Sequence, residues 1–373
     1  MRIGRFSFLV CVVVGGASCD STDTDPPPED PVLVTPAEFG APYDNLSDWH
    51  LFADALGQTP ADDLVAYDVI APLFSDYALK WRFVYVPKDQ KIGYVGDDIW
   101  DFPVGTVLVK TFAYADDLAA PEGARRLLET RLLWHEPEGW TAHTYVWNEE
   151  QTEAVREVGG KFIGIDFVDA NGQTVHNEYR VPNTNECADC HHVDDDAGEA
   201  IVGPLGPKTR QLDRDYDHGD APKNQLEYFA SLGLLDTDPP AASERERLVD
   251  PSDESADVSL RARSYFDANC SSCHRQGGSA TQSDLELDFH ATDPSSDPAT
   301  WGVCKIPTSA GGATCGNTYD VVPGDPDSSV MVCRMGSTEI DQRMPPLGSK
   351  IVHAEGLALV REWISSLEPA GCN

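Results

Sequence analysis

The sequence is poor in basic side chains. Its 373 residues include 27 Lys and Arg but 63 Asp and Glu, so the formal net charge is −36. Such a surface repels nucleic acid and anionic lipid and favours cationic partners, although it does not determine the fold. The charge balance therefore argues against a nucleic-acid-binding protein. It predicts that a partner protein that docks on the surface presents basic side chains.

Other absences narrow the function further. The sequence has no glycine-rich phosphate loop, no convincing Ser/His/Asp arrangement and no basic patch interleaved with aromatic residues. After residue 19, no apolar run is long enough to span a membrane. Nucleotide binding through such a loop, serine-hydrolase chemistry and nucleic-acid binding are therefore without support in the sequence.

The first residues have the plan of an export signal. Residues 1–18 combine Arg2 and Arg5 with a short apolar core and a small-residue exit. Cys19 then follows GGAS as the acylated cysteine of a bacterial lipoprotein would, although the leucine usual three residues earlier is missing. The acidic, Pro-rich residues 19–39 suit a tether. We therefore expect an exported protein of a Gram-negative bacterium, either periplasmic or anchored to the inner or outer membrane through Cys19.

The ten cysteines fall into groups according to their position in the chain and the oxidising compartment expected for an exported protein. Cys11 would leave with the export signal. Four cysteines near the C-terminus are an even number in an oxidising environment and predict two disulfides among Cys304, Cys315, Cys333 and Cys372. Their connectivity is open, and Cys304–Cys315 would close the shortest loop. Four others form two Cys-x-x-Cys pairs.

Residue composition and periodicity along the chain predict three regions after the tether. Residues 40–181 contain runs of β-branched and aromatic residues separated by turn signals, which favours an antiparallel β-rich domain. The Asn-Gly pair of DANGQ predicts a hairpin turn, since it tolerates positive φ. Residues 182–254 are loop-rich, with one helix around KNQLEYFASLGLL. Residues 255–373 begin with a helix that leads into the second cysteine pair and end with an amphipathic helix stopped at Pro369. The expected fold class is thus α+β and multidomain.

Both cysteine pairs are followed at once by histidine, in CADCH at residues 187–191 and CSSCH at residues 270–274. In the Cys-x-x-Cys-His motif the thiols form thioethers with the haem vinyl groups and the histidine ligates the iron. Zinc sites, thioredoxin-like dithiols and structural disulfides are alternatives, but none needs a histidine after both pairs. We therefore predict two covalently attached haems c. The residues are Cys187, Cys190 and His191 for the first haem, and Cys270, Cys273 and His274 for the second.

Methionine is scarce, and this bears on the iron ligands. There are four methionines: Met1, Met331, Met335 and Met344. Met344 lies in RMPPLG between the CSSCH helix and the terminal helix, an arrangement that resembles small class I cytochromes c. The resemblance implies His/Met ligation of the second haem, with Met335 as the reserve ligand. No methionine is near CADCH in the sequence, so the first haem would have a histidine, another residue or an open position opposite His191. His192 shares a turn with His191 and is expected to be peripheral.

Several longer phrases point to one family. The chain is similar to poorly characterised, exported bacterial diheme c-type cytochromes in APLFSDYALKWRFVYVP, FPVGTVLVKTF, YVWNEEQTEA, YRVPNTNECADCH, VVPGDPDSSVMVCRM and MPPLG. The resemblance runs from about Ala41 to Leu367. It implies a β-rich N-terminal region, a C-terminal cytochrome c module of class I type, and haem attachment at the residues named above. It implies no established substrate.

We therefore expect a diheme c-type cytochrome that transfers single electrons to or from a redox partner protein. One alternative is a peroxidase- or oxygenase-like enzyme that uses an open first haem for catalysis. Another is a redox-sensing binding protein whose β-rich domain holds a ligand. The sequence leaves open the redox partner, the reduction potentials and the role of the β-rich domain.

Overall fold

The computed structural model describes five stretches of the chain: residues 30–194, 200–219, 221–308, 314–369 and 371–372. The expected export signal and Cys19, the cysteine expected to carry a lipid, lie outside the described residues, as does most of the expected tether. Among the residues described, no helix is both long enough and apolar enough to cross a membrane. From Val32 onward the chain forms one compact unit.

The described residues form fourteen β-strands and six α-helices. The strands are β1 (Phe52–Asp54), β2 (Thr59–Pro60), β3 (Leu64–Tyr67), β4 (Leu79–Tyr85), β5 (Val107–Ala115), β6 (Arg125–Glu136), β7 (Gly139–Trp147), β8 (Ala154–Glu157), β9 (Lys161–Val168), β10 (Thr174–Val181), β11 (His192–Asp194), β12 (Ala200–Val202), β13 (Asp215–Asp217) and β14 (Pro222–Asn224). The helices are α1 (Thr184–His191), α2 (Thr209–Leu212), α3 (Gln225–Ser231), α4 (Val258–Asn269), α5 (Val330–Met335) and α6 (Ala354–Ser366).

Six consecutive strands form the central sheet. Strands β3 to β8 lie side by side in chain order, and every neighbouring pair is antiparallel. The longest of them, β5, β6 and β7, are rich in the β-branched and aromatic residues that favour extended backbone. Because each strand pairs with its neighbour in sequence, the sheet is a meander. The predicted antiparallel, β-rich region is therefore confirmed.

Strands β9 and β10 form a separate two-stranded hairpin around the DANGQ turn. Gly172 has a φ of +78°, which residues other than glycine rarely adopt, and its amide donates to the carbonyl of Asp169 over 2.9 Å. The Asp169 carboxylate accepts from the amides of Asn171 and Gln173. This turn was predicted from the Asn-Gly pair, and the structure confirms it.

The two faces of the central sheet differ in character. One face carries a single apolar cluster that includes Trp49 and Trp134. The opposite face carries two apolar clusters, one containing Leu108 and the buried side of α3, the other containing Phe112. Alternate residues of a strand share a face, so Lys110 lies between Leu108 and Phe112 on that second face. A charged side chain therefore stands where the two apolar clusters separate.

The helices expected from the sequence are present. α3 covers part of KNQLEYFASLGLL, and its Leu226 and Phe229 are fully buried. α4 leads into the second cysteine pair, and α6 shares an apolar cluster with α4 and α5. Gly356 of α6 lies so near α4 that a Cβ there would come within 2.4 Å of the Tyr265 hydroxyl oxygen. The close crossing of these two helices therefore requires glycine at this position.

Two disulfides stabilise the C-terminal region. Cys304 is bonded to Cys372, and Cys315 is bonded to Cys333. The expected number of disulfides is therefore confirmed, whereas the pairing that would close the shortest loop is not the one formed. The fold returns the end of the chain to the middle of this region, where the Tyr319 hydroxyl donates to the Cys372 carbonyl over 3.3 Å.

The expected division of residues 40–373 into three regions stays a prediction, as does the class I-like character of the last one. These regions share buried contacts. Arg210 of α2 and Asp267 of α4 form an ion pair at 3.4 Å, with side chains that are 3% and 1% exposed. A small apolar cluster combines one residue or more from each region: Ile70, Ala71, Leu248 and Phe289. The three regions therefore pack against one another through interior side chains.

Candidate functional site

A cavity of about 890 Å³ lies between the central sheet and the helical part of the chain. Its wall includes residues of β5, β6, α1, α4 and α5, and its volume is in the range of cofactor pockets, roughly 300–1,000 Å³. All six residues of the two Cys-x-x-Cys-His motifs line it, together with Met331, Met335 and Met344. The structure thus brings together two motifs that residues 192–269 separate in the sequence.

The first motif lies on a short helix that was not expected from the sequence. The Asn183 side chain accepts from the Glu186 amide over 3.1 Å, and the Glu186 carboxylate accepts from the Asn183 amide over 3.0 Å. This reciprocal capping box starts α1 and places Cys187, Cys190 and His191 on one helical face. The sequence signal for this helix is the Asn-x-x-Glu pattern of a capping box. The polar composition of the surrounding stretch favours a loop instead.

His191 is held in a defined orientation. Its Nδ1 lies 2.9 Å from the Gly203 carbonyl oxygen and donates to it, so the lone pair of Nε2 remains available to a metal. The hairpin of β11 and β12 returns the chain to this point, and the Gly203 amide donates to the His191 carbonyl. A Cβ at Gly203 would lie 2.6 Å from a Val193 methyl carbon, so glycine permits this approach. Burial lowers the pKa of His191 to about 4, which keeps the imidazole neutral.

The second motif continues the end of α4. The Cys270 amide donates to the Phe266 carbonyl, and the His274 amide donates to the Cys270 carbonyl, both within 2.9 Å. The His274 Nδ1 lies 3.2 Å from the Ser283 hydroxyl oxygen. Burial lowers the pKa of His274 to about 4. Both motif histidines are therefore buried and neutral. A neutral imidazole is the form that binds iron.

The two motifs touch each other. Cys190 and Cys273 lie close enough to shift each other's pKa: that of Cys190 is raised, and that of Cys273 is lowered to about 6. The Cys273 thiol lies 3.6 Å from the Asp189 carbonyl oxygen, and the Ser279 hydroxyl donates to the same oxygen over 2.6 Å. None of the four motif cysteines forms a disulfide. The two motifs therefore approach each other at their second cysteines, Cys190 and Cys273.

The cavity has the opposite charge balance from the chain. Nine basic side chains line it, against four acidic ones, Glu186, Asp189, Asp267 and Asp320. The basic side chains are Arg82, Lys110, Arg131, Arg180, Lys208, Arg275, Arg334, Arg343 and Lys350. Three of these, Arg275, Arg334 and Arg343, have a buried Nε with no hydrogen-bond partner among the described residues. Partly buried cationic groups with unpartnered donors favour an anionic occupant.

Three of the basic residues form a row across the sheet, called here the basic row. Arg82 of β4 is the register partner of Lys110 of β5, and Lys110 is the register partner of Arg131 of β6. All three line the cavity. No short-range sequence signal could have identified the basic row, because its members are joined only by the pairing of three strands.

The loop that carries Met344 is fixed to both the helical part and the sheet side. The Met344 amide donates to the Arg334 carbonyl over 3.0 Å. Farther along the loop, the buried Asp76 carboxylate accepts from the amides of Lys350 and Ile351 and from the hydroxyl of Ser349. The backbone of this loop is therefore anchored at Met344 and again at residues 349–351.

The three C-terminal methionines differ in their surroundings. Met331 and Met335 pack against the apolar cluster of α4 and α6, whereas Met344 belongs to none of the clusters formed by the described residues. All three line the cavity that also holds Cys187 and His191. No methionine lies near CADCH in the sequence, but the fold places three methionines in the lining of the same cavity as that motif.

His192 and His353 are two further histidines near the motifs. His192 begins β11 and, within the part of the chain that the structure describes, is not one of the residues that line the cavity. His353 does line it, stacked on Phe74 with ring centroids 4.1 Å apart and with its Nδ1 3.1 Å from the Tyr265 hydroxyl. Sequence reasoning did not single out His353, because its role depends on contacts with two distant segments.

The comparisons with known proteins identify no relative of this chain. No family model, no curated protein and no solved structure matches it. Within the described ranges, no three His, Cys, Asp or Glu side chains are grouped so that they could hold a metal ion. The resemblance to diheme cytochromes and the assignment of the haem-binding residues therefore stay predictions.

Lys80 provides a test of the positive potential on the cavity face of the sheet. Burial, with Arg82 and Arg131 nearby, lowers its pKa to about 7 from 10.5. Between these values the unfolded chain holds a proton that the folded chain releases, so the free energy of unfolding should rise with pH, by up to about 1.4 kcal/mol per unit. In Lys80→Met this contribution should vanish. Urea unfolding between about pH 7 and pH 9 measures it, with the exposed Lys88→Met as control; equal pH slopes in wild type and Lys80→Met would contradict the expectation.

Proposed function

We propose that the protein is an exported diheme c-type cytochrome that transfers single electrons through two covalently attached haems. Cys187, Cys190 and His191 would hold one haem. The other haem would be held by Cys270, Cys273, His274 and Met344. The observation that carries the proposal is the single cavity onto which both complete Cys-x-x-Cys-His motifs open.

The residues of the cavity suit haem c in three respects. Each motif offers two thiols that are not engaged in disulfides, as thioether formation requires. Each offers a neutral imidazole, and that of His191 is oriented through its Nδ1 by a backbone carbonyl. Haem also brings two propionate groups, and the partly buried guanidinium groups of Arg275, Arg334 and Arg343, each with an unpartnered Nε among the described residues, suit such carboxylates. A zinc site or a redox dithiol would supply no carboxylate to pair with these cations.

When bound, haem supplies an iron centre that changes oxidation state by one electron. The chain's own residues would position the two haem groups and shield them from solvent. The carbonyl of Gly203 holds the His191 ring, and the Ser283 hydroxyl lies within 3.2 Å of the His274 ring. The contact between Cys190 and Cys273 brings the two attachment points together, which favours electron transfer between the sites. Thioether ligation by Met344 would raise the reduction potential of the second site above that of the first.

The same proposal includes export and a protein partner. The sequence features of residues 1–18 and Cys19 support export, with a lipid anchor as one form of it. The redox partner would dock through basic side chains, because the chain carries a net charge of −36 while its basic cavity residues are turned inward.

A second candidate function is peroxidase-like catalysis at the first haem. It is favoured by a buried polar network on the cavity side of the sheet: Glu129 is paired with Arg131 and accepts from the Tyr179 hydroxyl over 2.6 Å. Arg131 is near enough to Cys187 for each charge to affect the pKa of the other group. A guanidinium and a carboxylate next to an open haem could stabilise charge and move a proton during peroxide cleavage.

The EPR spectrum of the ferric protein distinguishes the two functions. We expect two low-spin haems, because an electron carrier keeps both irons six-coordinate with protein ligands. A high-spin haem that reacts with hydrogen peroxide would favour the enzyme instead. The variant Arg131→Met provides the control, because it should abolish peroxide reactivity only where the network takes part in catalysis.

Haem stoichiometry tests the proposal most directly. Mass spectrometry of the mature wild-type chain should show the added mass of two haems, and pyridine-haemochrome absorbance should agree. The double variant Cys187→Ala/Cys190→Ala should retain one haem, since both of its thioether sulfurs are lost at the first motif. The disulfide variant Cys315→Ala/Cys333→Ala is the matched control and should retain two. A wild-type chain without haemochrome absorbance would refute the cytochrome assignment.

Met344 is the expected sulfur ligand of the second iron. Met344→Ala should lose the low-energy charge-transfer band that methionine gives with ferric iron, and the potential of that haem should fall. Met335→Ala is the matched control and should keep the band, since Met335 already packs against the apolar cluster of the helices. Persistence of the band in Met344→Ala would assign the ligand to Met335 or Met331.

A further inference from the structure

The basic row has an unbalanced centre. Arg82 is paired with Asp68 at 2.9 Å, and Arg131 is paired with Glu129. Lys110, which stands between them in register, forms no ion pair and no side-chain hydrogen bond with any described residue. Its contact is with the Phe112 ring, whose centroid is 5.0 Å from the Lys110 Nζ. The middle residue of the row therefore has no anionic partner of its own: the charge of Glu129 acts on it, but that carboxylate is engaged by Arg131 and Tyr179.

This arrangement is unfavourable without an anion. Like charges that stand directly opposite on neighbouring strands destabilise a sheet. Burial, followed by the charges of Arg82, Lys80 and Arg131, lowers the pKa of Lys110 well below its usual range. Since Lys110 lines the cavity, its amine adjoins any occupant there, and an anionic occupant would favour the protonated form of that amine. An anion in the cavity would neutralise the centre of the row and accept a charge-assisted hydrogen bond.

The position of the row links it to the first motif. The charges of Lys110 and Arg131 both act on the His191 ring, and Arg131 also acts on the Cys187 thiol. His274, by contrast, is influenced by Arg334 and Lys305. The sheet side of the cavity therefore belongs to the first motif, and the helical side belongs to the second.

We propose that the basic row is a carboxylate-binding site in which Lys110 contacts the carboxylate, flanked by Arg82 and Arg131. The carboxylate is either a propionate of the first haem or a small free carboxylate that enters the cavity. The first source rests on the proposed function, whereas the second does not require it. The site gives the β-rich region a role, because the sheet then forms the anion-binding wall of the cavity.

The experiment uses the mature exported protein with whatever haems it carries. The variants are Lys110→Met, which removes the charge at similar length, and Lys110→Arg, which keeps the charge. Lys80→Met is the matched control, because Lys80 lies on the same sheet but does not line the cavity in the described part of the chain. Lys110→Gln replaces Lys110→Met if the latter does not fold. Two quantities are measured: the propionate bending vibration in the resonance Raman spectrum, and the midpoint temperature of thermal unfolding with and without sodium formate.

Each result has a defined meaning. A shifted propionate vibration in Lys110→Met, restored in Lys110→Arg, supports the propionate source. Stabilisation of the wild-type protein by formate, with an affinity at least about tenfold weaker in Lys110→Met, supports the free carboxylate. If Lys110→Met and Lys80→Met behave alike in both measurements, the inference is overturned. Mass spectrometry of the same samples reports separately on haem, so a chain without haem would refute the proposed function while formate still tests the row.

Discussion

Arg82, Lys110 and Arg131 stand beside one another on the cavity face of the central sheet, and the rest of the structure has to accommodate three adjacent basic side chains. Asp68 and Glu129 each neutralise one end of the row, while the centre faces the cavity. Apolar clusters pack against the sheet on either side of this row but not over it. The cavity therefore exists where the sheet presents charge, since an apolar element could not cover it without burying unpaired cations.

The rest of the fold brings two similar motifs to that cavity by different means. The capping box of α1 orients the first motif, and the hairpin of β11 and β12 supplies the carbonyl that holds His191. The second motif extends from α4, whose close crossing with α6 depends on Gly356. Where the motifs meet, Cys190 and Cys273 are near enough to shift each other's pKa. A pair of redox centres attached at these residues would be near neighbours inside one protein body.

The distribution of charge separates the interior from the surface. The chain is strongly acidic overall, yet the cavity lining is predominantly basic. The acidic exterior suits solubility and a basic partner, while the basic interior suits an anionic cofactor or ligand. In the proposed cytochrome, the acidic surface would recognise the partner. The basic side chains of the sheet and helices would stabilise the haem propionates.

The sequence by itself determined the local features. Alternating β-branched and aromatic residues predicted the antiparallel strands, Asn-Gly predicted the hairpin turn, and four cysteines predicted two disulfides, because each depends on short-range chemistry or on compartment. Only the tertiary structure decided that both Cys-x-x-Cys-His motifs share one cavity, that Lys110 stands between two arginines, and that Cys304 pairs with Cys372. These features depend on strand register and on contacts between segments far apart in the chain. No local pattern encodes such contacts, since they form only when the whole chain packs.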